Sequence, residues 1–199
     1  MKNVIKKILL EEVDKLSDTV EYGTYVVEKH PKYYISKPKE YLGNDATIIY
    51  GGLLDTPEKL IKDIPTELLN KKIVVLVRFD KPFKSVINEL GKNINITSIN
   101  GFSTGSLSII NFINDYNYVG LIDPLLTKKF LNKLGKSSNP NVESWFSKKF
   151  WTNQLGKVTN TINLQKYLKD IMGDKVIELP NYEHEDVKKD FLKDNWMKM

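Results

Sequence analysis

Apolar residues change their spacing from one segment of the chain to the next. K-I-V-V-L-V-R-F (72–79) is an unbroken apolar run, the pattern of a strand buried on both faces of a parallel sheet. A-T-I-I-Y (46–50), Y-V-G-L-I (118–122) and K-V-I-E-L (175–179) are shorter runs rich in β-branched residues, and I-N-I-T-S-I-N (94–100) alternates, so each reads as a strand. Helical spacing fills the gaps. T-P-E-K-L-I-K-D-I-P-T-E-L-L (56–69) opens with a Thr cap and a Pro at its first turn, as helices do. Further helices are predicted from the Asp80 cap to the Gly91 stop, over 106–116, over 163–173, and from Glu185 to about Trp196. Strand and helix in alternation predict an α/β fold: a mostly parallel central sheet, wound right-handed, with helices on both faces.

The flanks depart from that rhythm. M-K-N-V-I-K-K-I-L-L-E-E-V-D-K-L has the spacing of an amphipathic N-terminal helix. T-Y-V-V-E-K-H-P-K-Y-Y-I-S (24–36) predicts a β-hairpin turning at His30-Pro31. Residues 127–160 are the least regular. L-L-T-K-K-F-L-N-K-L-G should be helical and K-S-S-N-P-N a loop, whereas S-W-F-S-K-K-F-W-T-N-Q fits a helix followed by a strand near 150–154, or a small cap over a cleft. There is no internal repeat, and 199 residues suit one domain over 1–199.

Composition narrows the chemistry. With 41% hydrophobic and 28% charged residues the chain has the make-up of a soluble globular protein. No apolar run approaches the roughly 20 residues needed to cross a bilayer, and charges interrupt the first segment as they would not in a signal peptide; a cytoplasmic location is expected. The chain has no cysteine, which excludes disulfides, thiolate metal sites and a cysteine nucleophile. Two histidines far apart in sequence leave few ligands for a metal, so neither metal nor cofactor is expected. The net charge is +5, but lysines are scattered among acids rather than gathered into a stripe, and nucleic acid is not expected as a partner. A homo-oligomer is compatible with the sequence.

One stretch stands out chemically. After the strand 94–100, and before the apolar helix, comes G-F-S-T-G (101–105). Strand, G-x-S-x-G, helix is the context of a nucleophile elbow, in which glycines let the chain bend sharply around an exposed serine. The plainer alternative makes Gly101 and Gly105 turn residues and Ser103 or Ser106 a helix cap. Ser103 as a nucleophile needs a base held by a carboxylate. His30 lies ahead of the alternating segment, whereas His184 follows the C-terminal end of the strand 175–179, the end of a parallel sheet where ligands collect; His184 is the better base. Asp123 ends the strand after the elbow helix and is the first choice of carboxylate, with Glu143 in reserve. An oxyanion would take one N–H from Thr104 and a second from Gly52 or Leu53, in the loop after the strand 46–50.

With Gly51-Gly52, G-F-S-T-G, L-I-D-P (121–124) and Y-E-H (182–184) in this order, the chain resembles the α/β-hydrolase fold family over residues 46–196. That resemblance implies a serine hydrolase acting on a small-molecule acyl substrate through Ser103, Asp123 and His184. An acid directly after the strand that follows the elbow is similar to the arrangement in pancreatic-type lipases, while the family's frequent His-Gly is Tyr50-Gly51 here. The fold family also contains catalytically silent binding proteins, which is the main alternative. A phosphate cradle at G-F-S-T-G-S is the second, although the G-x-x-x-x-G-K-[ST] and G-x-G-x-x-G patterns are both missing.

Overall fold

A single nine-stranded sheet organises the computed structural model, which describes residues 18–147 and 161–199, with the backbone alone for 161–165. The strands are β1 (Asp18–Tyr22), β2 (Tyr25–His30), β3 (Tyr33–Pro38), β4 (Asp45–Tyr50), β5 (Ile73–Val77), β6 (Asn95–Phe102), β7 (Tyr118–Ile122), β8 (Val142–Ser147) and β9 (Val176–Leu179). Their order across the sheet is β1-β2-β3-β5-β4-β6-β7-β8-β9. From β5 to β9 all neighbours run parallel, while β1, β2 and β3 form an antiparallel wing that joins at β5. The expected mostly parallel sheet is therefore present. The hairpin forms where expected, and β1 adds a strand that the sequence pattern did not announce, because its D-T-V-E-Y is largely exposed at the edge.

The helices are α1 (Pro57–Asp63), α2 (Thr66–Leu69), α3 (Phe83–Leu90), α4 (Gly105–Ile109), α5 (Lys128–Leu134), α6 (Thr161–Met172) and α7 (His184–Asn195). They sort by face. Phe83, Val86, Ile109, Phe130, Leu131 and Leu168 bring α3 to α6 against one side, with Ile48, Tyr50, Val75 and Val77 of the sheet. Leu60, Leu68, Val187, Phe191 and Leu192 bring α1, α2 and α7 against the other, with Ile49, Val74 and Leu76. Successive residues of β4 and β5 thus serve opposite layers, and this is why β5 is apolar at every position and both strands are buried from Ala46 and Ile73 onward.

Several boundaries differ from expectation for local reasons. The helix expected over 56–69 is two, because Pro65 keeps Ile64 extended (φ −77°, ψ 128°). Asp80 does not cap α3; it pairs with Arg78 and Lys32, and Pro82 takes the cap position. The helix after the elbow passes after five residues into a 3-10 turn (Ile110–Phe112), where paired isoleucines and Asn111 favour the α-helix least. Val142–Ser147 is a strand, aligned parallel to β7, so Ser144–Ser147 belong to neither a helix nor a cap. The N-terminal helix, and the strand expected near 150–154, fall outside the described residues. Among the described residues no helix is long and apolar enough to cross a membrane.

Candidate active site

β6 carries the chain through Gly101 and Phe102, and the turn into α4 is made at Ser103, whose φ is 52°. Few residues other than glycine adopt that conformation. Backbone bonds hold it: the Ser103 N–H donates to the Ile122 carbonyl at 2.9 Å, and the Ser103 carbonyl accepts from Ser106 and Leu125, both at 3.2 Å. The Ser106 hydroxyl donates back to the Gly101 carbonyl at 2.6 Å, so Ser106 fastens the bend and is not its helix cap. The two flanking glycines are sterically required. A Cβ on Gly101 would stand 2.7 Å from Ser106 Cα, and one on Gly105 2.5 Å from the Gly51 carbonyl oxygen.

One strand along, Asp123 repeats the device. Its φ is 41°, its N–H donates to the Trp145 carbonyl at 2.6 Å, and it is fully buried. Oδ1 accepts from the Ser147 N–H at 3.0 Å and Oδ2 lies 2.5 Å from His184 Nδ1. His184 is the first residue of α7 rather than a loop residue, and its ring lies against Phe102 with centroids 4.4 Å apart. The preceding loop is anchored where the Ser147 hydroxyl donates to the Tyr182 carbonyl. A proton on Nδ1, shared with Asp123, leaves Nε2 as the basic nitrogen. The Ser103 hydroxyl forms no hydrogen bond with another described residue. In sites without substrate the bond between nucleophile and base is commonly long, and it tightens on binding.

Glu143 is elsewhere: it pairs in register with Gly120, near the start of β8, and accepts from the Tyr118 hydroxyl and from Lys198. His30 stacks on Tyr33 in the antiparallel wing.

The loop after β4 abuts the bend, since a Cβ on Gly52 would be 3.2 Å from Ser103 Cβ and equally close to the Phe102 ring. The Gly52 N–H, expected as an oxyanion donor, is already committed to Asp55 Oδ2 at 2.8 Å. Of the two alternatives, Gly52 or Leu53, Gly52 therefore supplies close approach, and its N–H holds the loop. No bond within the described residues engages the N–H of Leu53 or of Thr104. Sequence inspection missed Asp55 and its partner Lys188, which is buried with Nζ 2.9 Å from Asp55, 3.0 Å from Asp63 and 2.7 Å from Glu185. Burial works to lower the lysine pKa, but the hydrogen bonds that the ammonium donates to Glu185 and Asp55, the charge of Asp55 and a further bond to Asp63 outweigh it and raise the value, so the ammonium stays charged. The available signal was the spacing, for Lys188 follows His184 by one helical turn.

No protein-family model and no curated protein matches the chain. Solved structures do. The S-formylglutathione hydrolase from Agrobacterium tumefaciens aligns with a TM-score of 0.64 at 9% identity, over 91% of this chain and 96% of that one. Est1E from Butyrivibrio proteoclasticus aligns with a TM-score of 0.55 at 13% identity, over 92% and 99%. The methylesterase BT1017 aligns with a TM-score of 0.57 at 13% identity over 89% of this chain, which spans only 56% of that protein's length. Similarity at such identity concerns the path of the chain, and by that path the protein has the α/β-hydrolase fold.

Proposed function

We propose that the protein is a serine hydrolase that cleaves an ester, thioester or amide bond through an acyl-enzyme on Ser103. The observation that carries this is the contact between Asp123 Oδ2 and His184 Nδ1, 2.5 Å long, beside the bend at Ser103. A silent binding protein would be favoured by a histidine with no carboxylate in reach, and this contact speaks against it. The hydrolases and esterases among the structural neighbours support the same chemistry.

On this reading His184 Nε2 takes the Ser103 proton as Oγ attacks the acyl carbon, and Asp123 stabilises the imidazolium and fixes its tautomer. Charge gathers on the former carbonyl oxygen, where the N–H groups of Thr104 and Leu53 are the donors. Collapse of the tetrahedral adduct expels the alcohol, thiol or amine, which leaves with the proton from His184. Water then repeats the sequence: His184 takes its proton, hydroxide adds to the acyl carbon, and Ser103 regains its hydrogen as the acid departs. The partner is a small acyl compound, because residues 127–160 leave little chain for a cap, and the setting is the cytoplasm.

A fluorophosphonate probe tests this directly. Folded protein should take up one label, on Ser103, and Ser103→Ala should take up none. An unlabelled folded wild type, or an adduct that survives Ser103→Ala, would overturn the proposal.

A further inference from the structure

His184 and Lys188 are four residues apart on α7, so their side chains leave the same helical face. Phe102 lies between their ends, its ring centroid 4.4 Å from that of the imidazole and 4.8 Å from Lys188 Nζ. Beyond Phe102 the ammonium donates to Asp55 Oδ1 at 2.9 Å, and the other oxygen of Asp55 accepts the Gly52 N–H at 2.8 Å. A continuous path of contacts therefore runs from the helix that carries the histidine to the loop that abuts Ser103.

A buried ion pair contributes little net stability, since desolvation offsets most of its attraction, and an apolar pair of similar volume would do as well. An apolar pair could not orient a backbone amide. Of the carboxylates on Lys188, Asp63 ends α1 and Glu185 is half exposed on α7 itself. Asp55 alone belongs to the loop at the bend. An oxyanion donor acts only if it is fixed before charge develops, and the five-residue turn 51–55 has two leucines, Leu53 and Leu54, exposed and unable to anchor it. The Gly51 N–H ties the start of the turn to the Val77 carbonyl at 2.9 Å and Lys59 donates to the Leu54 carbonyl at 3.1 Å, while the Asp55 side chain joins the turn to α7.

We propose that Lys188 is a positioning residue: through Asp55 it locks the turn 51–55 so that the Leu53 N–H faces the oxyanion, tying that donor to the helix that carries the base. The purpose of the lock rests on the hydrolase function proposed above; the lock itself does not.

The experiment compares wild type with Lys188→Met and Asp55→Asn, and with Asp63→Asn as the control that leaves the Lys188–Asp55 contact in place. Turnover of p-nitrophenyl acetate, inhibition by a phenylboronic acid as a mimic of the tetrahedral adduct, thermal melting and amide exchange are measured on the full chain. Lys188→Met and Asp55→Asn should lower kcat per folded molecule about 10- to 100-fold, with boronate affinity falling in parallel and KM changing less than about threefold. The hydrogen-bonded amides of Gly52 and Asp55 should exchange at least about tenfold faster while those of β4 keep their protection. Asp63→Asn should lower Tm and leave kcat and the exchange of the turn unchanged.

A loss of Tm alone in Lys188→Met and Asp55→Asn, or an equal loss of kcat in Asp63→Asn, overturns the proposal. Should Lys188→Met fail to fold, Asp55→Asn decides, because its side chain is nearly isosteric. Should wild type show neither turnover nor probe labelling, the hydrolase function fails, and unchanged exchange of the Gly52 and Asp55 amides would separately end the lock.

Discussion

Ser103 and Asp123 share a backbone conformation that neither side chain prefers, with φ of 52° and 41°, at a cost of about 1–2 kcal/mol each. Each is held by an N–H bond to the next strand of the sheet, Ser103 to Ile122 and Asp123 to Trp145. The bend survives only while helix α4 can approach β4 at Gly105. Gly105→Ala should therefore destabilise by about 3 kcal/mol through overpacking, seen as a lower urea midpoint, since the obstacle is the backbone of Tyr50 and Gly51; an unchanged midpoint would contradict the close approach. Asp123→Asn is a finer probe. An amide facing Nδ1 favours the wrong tautomer, so kcat should fall about 10⁴-fold while the fold persists, and steady-state kinetics beside circular dichroism will show it. Retained activity would move the acid elsewhere.

At the scale of elements, α7 is the part on which the site depends most. It begins with His184 and docks through Phe191, which is fully buried, T-shaped against Trp145 at 5.5 Å, and so close to Gly120 that a Cβ there would be 2.4 Å from Phe191 Cζ. Phe191→Ala should cost about 3–5 kcal/mol, measured by denaturant unfolding. Because the imidazole moves with the helix, fluorophosphonate labelling per folded molecule should slow as well. Lost stability with undiminished labelling would mean that the anchored Tyr182 loop alone sets the histidine.

The whole molecule joins a parallel body, with the candidate site along its C-terminal edge, to an antiparallel wing that carries His30. Burial lowers the His30 pKa, and its Nε2 has no hydrogen-bond partner among the described residues. The folded state thus prefers the neutral ring. As pH falls through the usual imidazole value of about 6.5, the unfolded chain takes up the proton first and stability drops, until the lower folded value is passed. Glu89 acts in the same direction at lower pH. Burial pushes its carboxyl up, but hydrogen bonds from Lys81 and Ser85 bring it below its usual value, so its contribution is present above about 4.5 and is lost as pH falls through the folded value. Tm should therefore fall as pH goes from 7 to 5, and His30→Phe should flatten that slope. An equal slope in the variant would remove His30 as a cause.

Sequence determined what short-range physics encodes. The unbroken apolar run of β5 reports burial on both faces, and its alternation with the shorter strands and the helices then leaves few topologies. The bend at Ser103 was legible because glycine has to stand on either side of it, whatever the rest of the chain does. His184 and Asp123 were legible as strand-end residues on a common sheet edge, but their contact was not, since it joins positions 61 residues apart. Tertiary structure alone set Asp123 apart from Glu143: one follows the end of its strand beside His184, and the other lies near the start of its own. It alone committed the Gly52 N–H to Asp55, and it alone buried a lysine that any sequence pattern assigns to solvent. A charge goes inside only where distant parts of the chain deliver its partners together, and no local spacing records that.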